Sequence, residues 1–189
     1  MKILAINGSA RKESNTALLV DIVFKKLNKF GIETEMISFF NQVIEPCKAC
    51  WACIGQKNCV HHNDIFQEVF EKMKKADGII LSSPVYSANI SATMQAFLER
   101  SAVVCDVNQG LLTHKTGGSI VTARRGGALN ALDTMNHFFL NHDMVIVGSS
   151  YWNIGYGQRF GDVLKDEEAL KTMDKFAENM IWLMKKIQG

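Results

Sequence analysis

The chain has 189 residues, of which 47% are hydrophobic and 21% are charged, a composition typical of one folded domain. The high apolar content excludes a disordered chain, and no apolar run approaches the roughly 20 residues of a membrane-spanning helix. A net charge of +2 without a basic block argues against nucleic acid as the main partner.

The amino-terminal apolar run is too short for a signal peptide. It covers residues 3–6, about half of a typical hydrophobic signal core, and is followed by Asn7, Gly8 and Ser9. We therefore expect a cytoplasmic, reducing location in which the five cysteines do not form disulfides. We also expect a single domain over residues 1–189, with no membrane partner.

Short apolar segments alternate with amphipathic segments along the chain. Strands are predicted at residues 3–6, 33–39, 78–82, 119–122 and 144–147. Helices are predicted at residues 15–30, 65–73, 91–104, 128–141 and 167–187, the second with Asn63 or Asp64 as N-cap. This alternation predicts an α/β fold with a parallel sheet covered on both faces, and five strands favour the flavodoxin-like order 2-1-3-4-5.

Residues 41–62 interrupt the alternation after the second predicted strand. About twenty residues separate this strand from its helix, where a connection of a few residues is usual. Long inserts inside compact domains are functional or disordered. Four of the five cysteines lie in this insert, so we interpret it as functional.

The loop after the first strand is rich in hydroxyl and amide side chains. It has neither the Gly-Lys-Ser/Thr ending of a Walker A loop nor the glycines of a dinucleotide turn. Backbone N–H groups and the helix dipole at this position favour a phosphate monoester, and an arginine adds a charge-assisted contact. An ordinary N-cap in a polar loop would also contain these residue types. The candidate contacts are Ser9, Arg11, Ser14, Asn15 and Thr16.

The loop after the third strand combines a proline with apolar and aromatic residues. Pro84 fixes the turn, and Val85 and Tyr86 present a surface that suits a flat conjugated ring. Backbone N–H groups of such a turn can bind the polar edge of a ring. A structural turn with Tyr86 packed on a neighbouring helix is the alternative.

The loop after the fourth strand carries two arginines and a glycine pair. Gly126 and Gly127 permit a positive φ or a close approach of the backbone to a ligand. Thr122 and Arg124 are candidate contacts to the same ring. A turn with two solvated arginines is the alternative.

Together, these loops resemble the flavodoxin-like NADPH-dependent FMN reductases, in the pattern Asn-Gly-Ser-x-Arg-x-x-Ser-Asn-Thr and in Ser-Pro-Val-Tyr. With the cysteine insert, the chain resembles more closely the iron–sulfur flavoprotein family, from residue 2 to about residue 147. The resemblance implies FMN as cofactor, with its phosphate held by the first loop. It also implies that the isoalloxazine is bordered by Pro84, Val85, Tyr86 and Ser87 on one side and by Ala123, Arg124, Gly126 and Gly127 on the other.

The cysteines of the insert follow the pattern C-x2-C-x2-C-x5-C, at Cys47, Cys50, Cys53 and Cys59. Three cysteines at successive three-residue steps suit a cubane better than zinc, which more often uses two separated C-x-x-C pairs. His61 and His62 keep a zinc site open as an alternative, and free thiols on a loop are the third reading. The family resemblance implies a 4Fe–4S cluster on the four cysteines. Cys105 is expected to be a small core residue.

The resemblance implies an oxidoreductase in which FMN performs the chemistry, so we assign no catalytic side chain. With a cluster, electrons would pass between a ferredoxin-type carrier, the cluster and the flavin, ending on oxygen, peroxide or a quinone. The first alternative is an NAD(P)H-dependent FMN or quinone reductase without a cluster. The second is a zinc-stabilised binding or regulatory module.

Residues 151–160 carry four aromatic side chains among glycines, and no helical or strand period explains them. Exposed aromatic patches tend to be interfaces, and Tyr, Trp and Arg are enriched there. We therefore predict a homodimer or homotetramer, as the family resemblance also implies. The alternative is that Trp152 and Tyr156 cap the flavin pocket of their own chain.

Overall fold

A computed structural model describes residues 1–188 of the chain. Six strands are present: β1 Lys2–Asn7, β2 Glu33–Ser38, β3 Gly78–Pro84, β4 Thr116–Ala123, β5 Val145–Ile146 and β6 Ile154–Tyr156. Five α-helices accompany them: α1 Asn15–Lys29, α2 Phe66–Lys75, α3 Ala92–Asp106, α4 Ala128–Asn141 and α5 Glu167–Gln188. A short 3₁₀ helix, Asp162–Lys165, precedes α5.

The strands form one parallel sheet in the order β2-β1-β3-β4-β5. This confirms the predicted flavodoxin-like order. The central strands are nearly continuous apolar runs because both of their faces are covered. In β1, for example, the residues from Ile3 to Ile6 are fully buried.

Two strands fill the fifth position of the sheet, where the sequence predicts one over residues 144–147. β5 pairs with the start of β4, at Thr116 and Gly117, and β6 pairs with its end, from Val121 to Ala123. The chain leaves the sheet between them and returns. The three residues of β6 lie among aromatics and glycines, too short a stretch to show a period of two.

Alternate side chains of each central strand point to opposite faces and build two apolar cores. Leu4 and Ile6 of β1 belong to the core under α2, α3 and α4. Ile3 and Ala5 belong to the core under α1 and α5. None of the helices over residues 1–188 combines the length and apolarity needed to cross a membrane.

The insert predicted to follow the second strand lies between β2 and α2 and has no regular secondary structure. The N-cap position of α2 differs from the prediction of Asn63 or Asp64. It is Ile65, which makes no side-chain cap, while Asp64 Oδ1 accepts a hydrogen bond from Phe66 N at 3.0 Å. Asp64 Oδ2 is engaged elsewhere, by Arg100 at 2.7 Å and by the backbone N–H of Glu45 at 2.8 Å.

Candidate cofactor-binding sites

The loops after β1, β3 and β4 surround one cavity of about 220 Å³ at the carboxyl edge of the sheet, here called the loop cavity. Ligands of open α/β sheets bind at this edge. The predicted contact residues line the cavity, with the exception of Ser87, Gly126 and Gly127. Its lining residues are Ser9, Arg11, Ser14, Asn15, Thr16, Pro84, Val85, Tyr86, Thr122, Ala123, Arg124, Gly157 and Gln158.

The loop after β1 is held in shape by its own hydrogen bonds. Asn7 Oδ1 accepts from Ser9 N at 3.1 Å, and Ser9 Oγ accepts from Arg11 N at 3.2 Å. Ser14 is the N-cap of α1, with extended backbone, and its Oγ accepts from Ala17 N at 3.1 Å. The loop's own bonds therefore hold the amino end of α1, and the helix dipole favours an anion in the cavity.

Asn15 does more than face the cavity, because its amide fastens a distant segment of the chain. Asn15 Nδ2 donates to Arg159 O at 2.9 Å, and its Oδ1 accepts from Gly161 N at 2.9 Å. Arg11 also donates, through one guanidinium nitrogen, to Gln158 O at 3.2 Å. These bonds draw the segment after β6 against the first loop.

Gly157 and Gln158 are cavity residues that the sequence reasoning missed. Gly157 N donates to Ala123 O at 2.9 Å, which continues the pairing of β6 with β4 beyond the strand. A Cβ at Gly157 would lie 2.8 Å from Asn15 Nδ2, so this close approach requires glycine. The pair Gly155-x-Gly157, at the end of β6, is the sequence signal that could have indicated a close approach of the backbone to a ligand.

Gly127 and Ser87 do not line the loop cavity but shape the two loops that form its walls. Gly127 has φ +85°, and a Cβ there would lie 2.7 Å from Ala88 Cα. Ser87 and Ala88 themselves have positive φ, inside a turn that is closed by paired backbone bonds between Tyr86 and Asn89. The loops after β3 and β4 are thus packed backbone against backbone.

A second cavity, here called the cysteine cavity, is lined by all four cysteines of the insert. Cys53 and Cys59 are buried, Cys47 is half-buried and Cys50 is exposed. Burial raises the pKa of the Cys53 thiol, and the charges of the other three cysteines raise it further. Within residues 1–188, no three His, Cys, Asp or Glu side chains are already arranged to hold a metal ion.

The backbone of the cysteine segment contains an unusual run of left-handed residues. Ala49, Trp51 and Lys57 have φ values of 49°, 59° and 57°. Such conformations are costly for residues with a Cβ and concentrate at functional sites. These three residues lie among the four cysteines, all of which line the cysteine cavity.

The two histidines after the segment occupy different surroundings. His61 Nε2 lies 3.4 Å from Cys50 Sγ, and His61 lines the cysteine cavity. His62 Nε2 instead lies 3.3 Å from Gln67 Nε2, and His62 lines a separate surface pocket. Of the two histidines considered for a zinc site, the structure brings only His61 to the four thiols.

Cys105 is the next-to-last residue of α3 and is buried outside the cysteine cavity. Burial raises the pKa of its thiol to about 12, with a smaller contribution from Asp106. A thiol with such a pKa is unreactive at neutral pH. Its prediction as a core residue is confirmed.

The aromatic segment of residues 151–160 surrounds β6 and is exposed. Tyr151, Trp152, Tyr156 and Phe160 each expose about half or more of their surface. Neither Trp152 nor Tyr156 lines the loop cavity among the described residues, so the structure does not support the alternative that they cap it.

Comparison with known proteins shows the family to which the chain belongs. The model of the NADPH-dependent FMN reductase family matches residues 1–159. An iron–sulfur flavoprotein of Methanocaldococcus jannaschii is 35% identical, and the match covers 100% of both chains. An iron–sulfur flavoprotein of Methanosarcina thermophila is 32% identical, and the match covers 100% of this chain and 97% of the relative.

Solved structures show the same fold at low sequence identity. RosB with a bound 8-demethyl-8-formylriboflavin-5'-phosphate intermediate has a TM-score of 0.80 and 19% identity, covering 100% of this chain and 80% of RosB. A flavodoxin from the domain Archaea has a TM-score of 0.61 and 12% identity, covering 100% of both chains. The chain thus belongs to the iron–sulfur flavoproteins of the NADPH-dependent FMN reductase family and is an FMN-binding oxidoreductase.

Proposed function

We propose that this flavoprotein is a single FMN-binding domain that transfers electrons between FMN in the loop cavity and a 4Fe–4S cluster in the cysteine cavity. The observation that carries the proposal is the position of α3. This helix begins at the N-cap Ser91, whose Oγ adjoins Gly8 of the first loop, and it carries Arg100 into the wall of the cysteine cavity. Nine helical residues span about 14 Å, so one helix connects the two cofactor regions.

In this proposal, FMN supplies the redox chemistry, and the protein binds and orients it. The phosphate is held by Ser9, Arg11, Ser14 and Thr16 at the amino end of α1, and Asn15 acts by fastening the segment around Gln158. The ring lies in the loop cavity against the loops after β3 and β4. Its contacts there are Pro84, Val85, Tyr86, Ala123 and Arg124, while Ser87, Gly126 and Gly127 support these loops without lining the cavity.

The donor set of the cysteine cavity fits an iron–sulfur cluster. Four cysteines line one cavity, and an arginine N–H is directed at the sulfur of one of them, Cys59, at 3.1 Å. Thiolates are the ligands of 4Fe–4S clusters, and N–H donors to the sulfurs are a usual part of such sites. The cluster would supply one-electron exchange, and its binding would require the segment to rearrange, because the cavity measures only about 20 Å³.

The exposed face of the cysteine segment supports a protein partner as electron donor. Cys50 is exposed, and Trp51 exposes 54% of its surface beside it. A carrier that docks on this face would reach the cluster without approaching the flavin. We therefore propose a ferredoxin-type carrier as partner of the cluster and oxygen, peroxide or a quinone as acceptor from the flavin, in the cytoplasm.

The proposal is tested by anaerobic purification, a visible spectrum, and measurement of iron, sulfide and zinc per flavin. We expect flavin bands with a broad brown shoulder, and iron and sulfide in equal amounts. An anaerobic preparation with flavin but neither iron nor sulfide would refute the cluster. Zinc in place of iron would instead indicate the zinc-stabilised module.

A second candidate function is an NAD(P)H-dependent FMN or quinone reductase without a cluster. It is favoured by the match of residues 1–159 to the model of the NADPH-dependent FMN reductase family, a stretch that includes the whole loop cavity. In that case NAD(P)H would reduce the flavin at the same rate when all four cysteines of the insert are replaced by serine. Under the leading proposal, the replacement would abolish electron entry from a reduced ferredoxin.

We also propose that the exposed aromatic segment forms the contact of a homodimer or homotetramer. Light scattering of the native chain should give a mass of two or four chains at micromolar concentration. The double variant Trp152→Ala/Phe160→Ala should give a smaller mass. A native monomer would refute the proposal, and an unaltered oligomer in the variant would place the contact elsewhere.

A further inference from the structure

Arg100 is a buried charge on α3, with 3% of its surface exposed. Burying a guanidinium is costly unless its donors and its charge are satisfied. Asp64 neutralises it at 2.7 Å, and the ring of Phe66 packs against it at 4.2 Å from the guanidinium carbon. Arg100 therefore occupies a site built to hold it.

The remaining donors of Arg100 hold both ends of the cysteine segment. One guanidinium nitrogen donates to His61 O at 2.8 Å, two residues after Cys59. Another donates to Glu45 O at 3.4 Å, two residues before Cys47. Asp64, the partner of Arg100, accepts the backbone N–H of Glu45 in addition. One ion pair thus closes the loop that carries the four cysteines.

The last donor of Arg100 is directed at sulfur. Its Nε lies 3.1 Å from Cys59 Sγ, and both groups are buried. A neutral thiol is a weak acceptor, whereas a thiolate forms a charge-assisted bond with a guanidinium. A charged donor in a buried position is therefore matched to Cys59 in the thiolate form that a cluster ligand takes.

We propose that Arg100 is the positioning residue of the cysteine site. It holds Cys59 in place as a ligand, which strengthens the binding of the cluster, and it raises the reduction potential of the cluster. The potential is raised because an N–H donor and a positive charge next to a ligand sulfur stabilise the reduced cluster, which carries more negative charge. This inference rests on the proposed cluster.

The test uses two variants of the full chain, purified anaerobically. Arg100→Met removes all donors and should lower the affinity for the cluster about 10- to 100-fold, measured as iron and sulfide per flavin in a chelator titration. Arg100→Lys keeps a charge that can pair with Asp64 but lacks the planar fork, so it should retain more iron. The cluster that remains in Arg100→Lys should have a midpoint potential more negative than that of the native protein.

The matched control is Lys115→Met. Lys115 is a half-buried cation that, like Arg100, donates to a backbone oxygen, here that of Ala76, but it lies outside the cysteine cavity. The variant Lys115→Met should change neither the iron content nor the midpoint potential of the cluster. Native iron content in Arg100→Met, or a native potential in Arg100→Lys, would overturn the inference.

A measurement on the metal-free protein separates this inference from the proposed cluster. Trypsin can cut the segment after Lys48, which is exposed. Arg100→Met should be cut there at least about tenfold faster than the native chain, because both ends of the segment are released. If the native protein held no iron, the proposal of a cluster would be refuted, but faster cutting of Arg100→Met would still support the holding role of Arg100. An unchanged rate of cutting would overturn the holding role whatever the iron content.

Discussion

The loop cavity and the cysteine cavity are held together in opposite ways. The first loop is fixed by bonds over two or three residues, from Ser9 to Arg11 and from Ser14 to Ala17. The cysteine segment has no regular structure, and it is held by side chains of α2, such as Glu71 and Lys74, and by side chains of α3 and the residues just after it. Arg100 and Asn108 reach Cys59 and Cys53 across 41 and 55 residues of sequence.

This difference separates a site that is shaped locally from one that depends on tertiary contacts. The phosphate end of the loop cavity is shaped mainly by the turn and the start of α1, and bonds of Arg11 and Asn15 to the segment after β6 are added to these local contacts. The cysteine cavity requires α3 to be packed on the sheet before its side chains can hold the segment. We therefore expect substitutions in the two regions to have separable effects on flavin and on iron.

The largest effect is expected for the cysteines themselves. Serine at Cys47, Cys50, Cys53 or Cys59 should each remove most of the iron, because a cluster that loses one ligand is bound far more weakly. The flavin should remain, since none of the four lines the loop cavity. Iron and flavin per chain, measured after anaerobic purification, check both statements.

Cys105→Ser is the matched control for these four variants. Cys105 is a buried cysteine on the same helix as Arg100, but it does not line the cysteine cavity. Its replacement should leave the iron content unchanged. Equal loss of iron at Cys105, or loss of flavin together with iron in the other four variants, would show that the two regions are not separable.

The next largest effect is expected for Ser14→Ala/Asn15→Ala in the first loop. The substitution removes the N-cap bond of α1 and both bonds that fasten the segment at Arg159 and Gly161. A loss of roughly 1–3 kcal/mol per residue would weaken FMN binding tens-fold or more. Quenching of FMN fluorescence on titration measures the Kd.

The control for this double variant lies at the other end of the same helix. Asn28 of α1 accepts a hydrogen bond from Thr34 Oγ1 at 3.0 Å, and both groups are exposed. Asn28→Ala should leave the Kd for FMN unchanged. An unchanged affinity of the double variant for FMN would contradict the proposal that the first loop binds the phosphate.

Part of this molecule could be predicted from sequence because its signals are local. The cap at Ser14 and the alternation of strands and helices need only neighbouring residues. Arg100 could not be found in this way, because it appears as one polar residue of an amphipathic helix. Its role follows from α3 packing against a segment about forty residues earlier in the chain. β6 was missed for a related reason. It is defined by its pairing with β4, and its three residues show no strand pattern of their own.

A third, smaller effect tests the packing of the two loops that border the proposed flavin ring. Gly127→Ala places a Cβ at φ +85° and 2.7 Å from the Cα of Ala88, so it should lower the free energy of unfolding by about 1–3 kcal/mol. Gly126→Ala is the matched variant, because a Cβ there meets nothing within 4 Å. It should change the free energy by no more than about 0.5 kcal/mol. Urea unfolding measures the free energy of unfolding of both variants. Equal free energies would contradict the close contact between the backbones of the two loops.

The smallest effects are expected for the weaker contacts of α3 and its carboxyl end with the cysteine segment. Asn108 donates to Cys53 O at 2.9 Å and accepts from Lys57 N at 3.3 Å. Glu99 accepts from Cys47 N at 3.0 Å at an exposed position. A hydrogen bond contributes about 0.5–1.5 kcal/mol. In the metal-free protein, Asn108→Ala should therefore speed tryptic cutting after Lys48 about tenfold, and Glu99→Ala only about twofold.

The order of these two rates is the sharper part of the prediction. It follows from the number of bonds that each side chain makes to the segment and from the exposure of Glu99, where water competes for the same N–H group. If α3 holds the segment as a whole, the rates rise from Glu99→Ala through Asn108→Ala to Arg100→Met. Equal rates in all three variants would contradict the holding role of α3 and would mean that the bonds of the segment to α2 are enough to keep its shape.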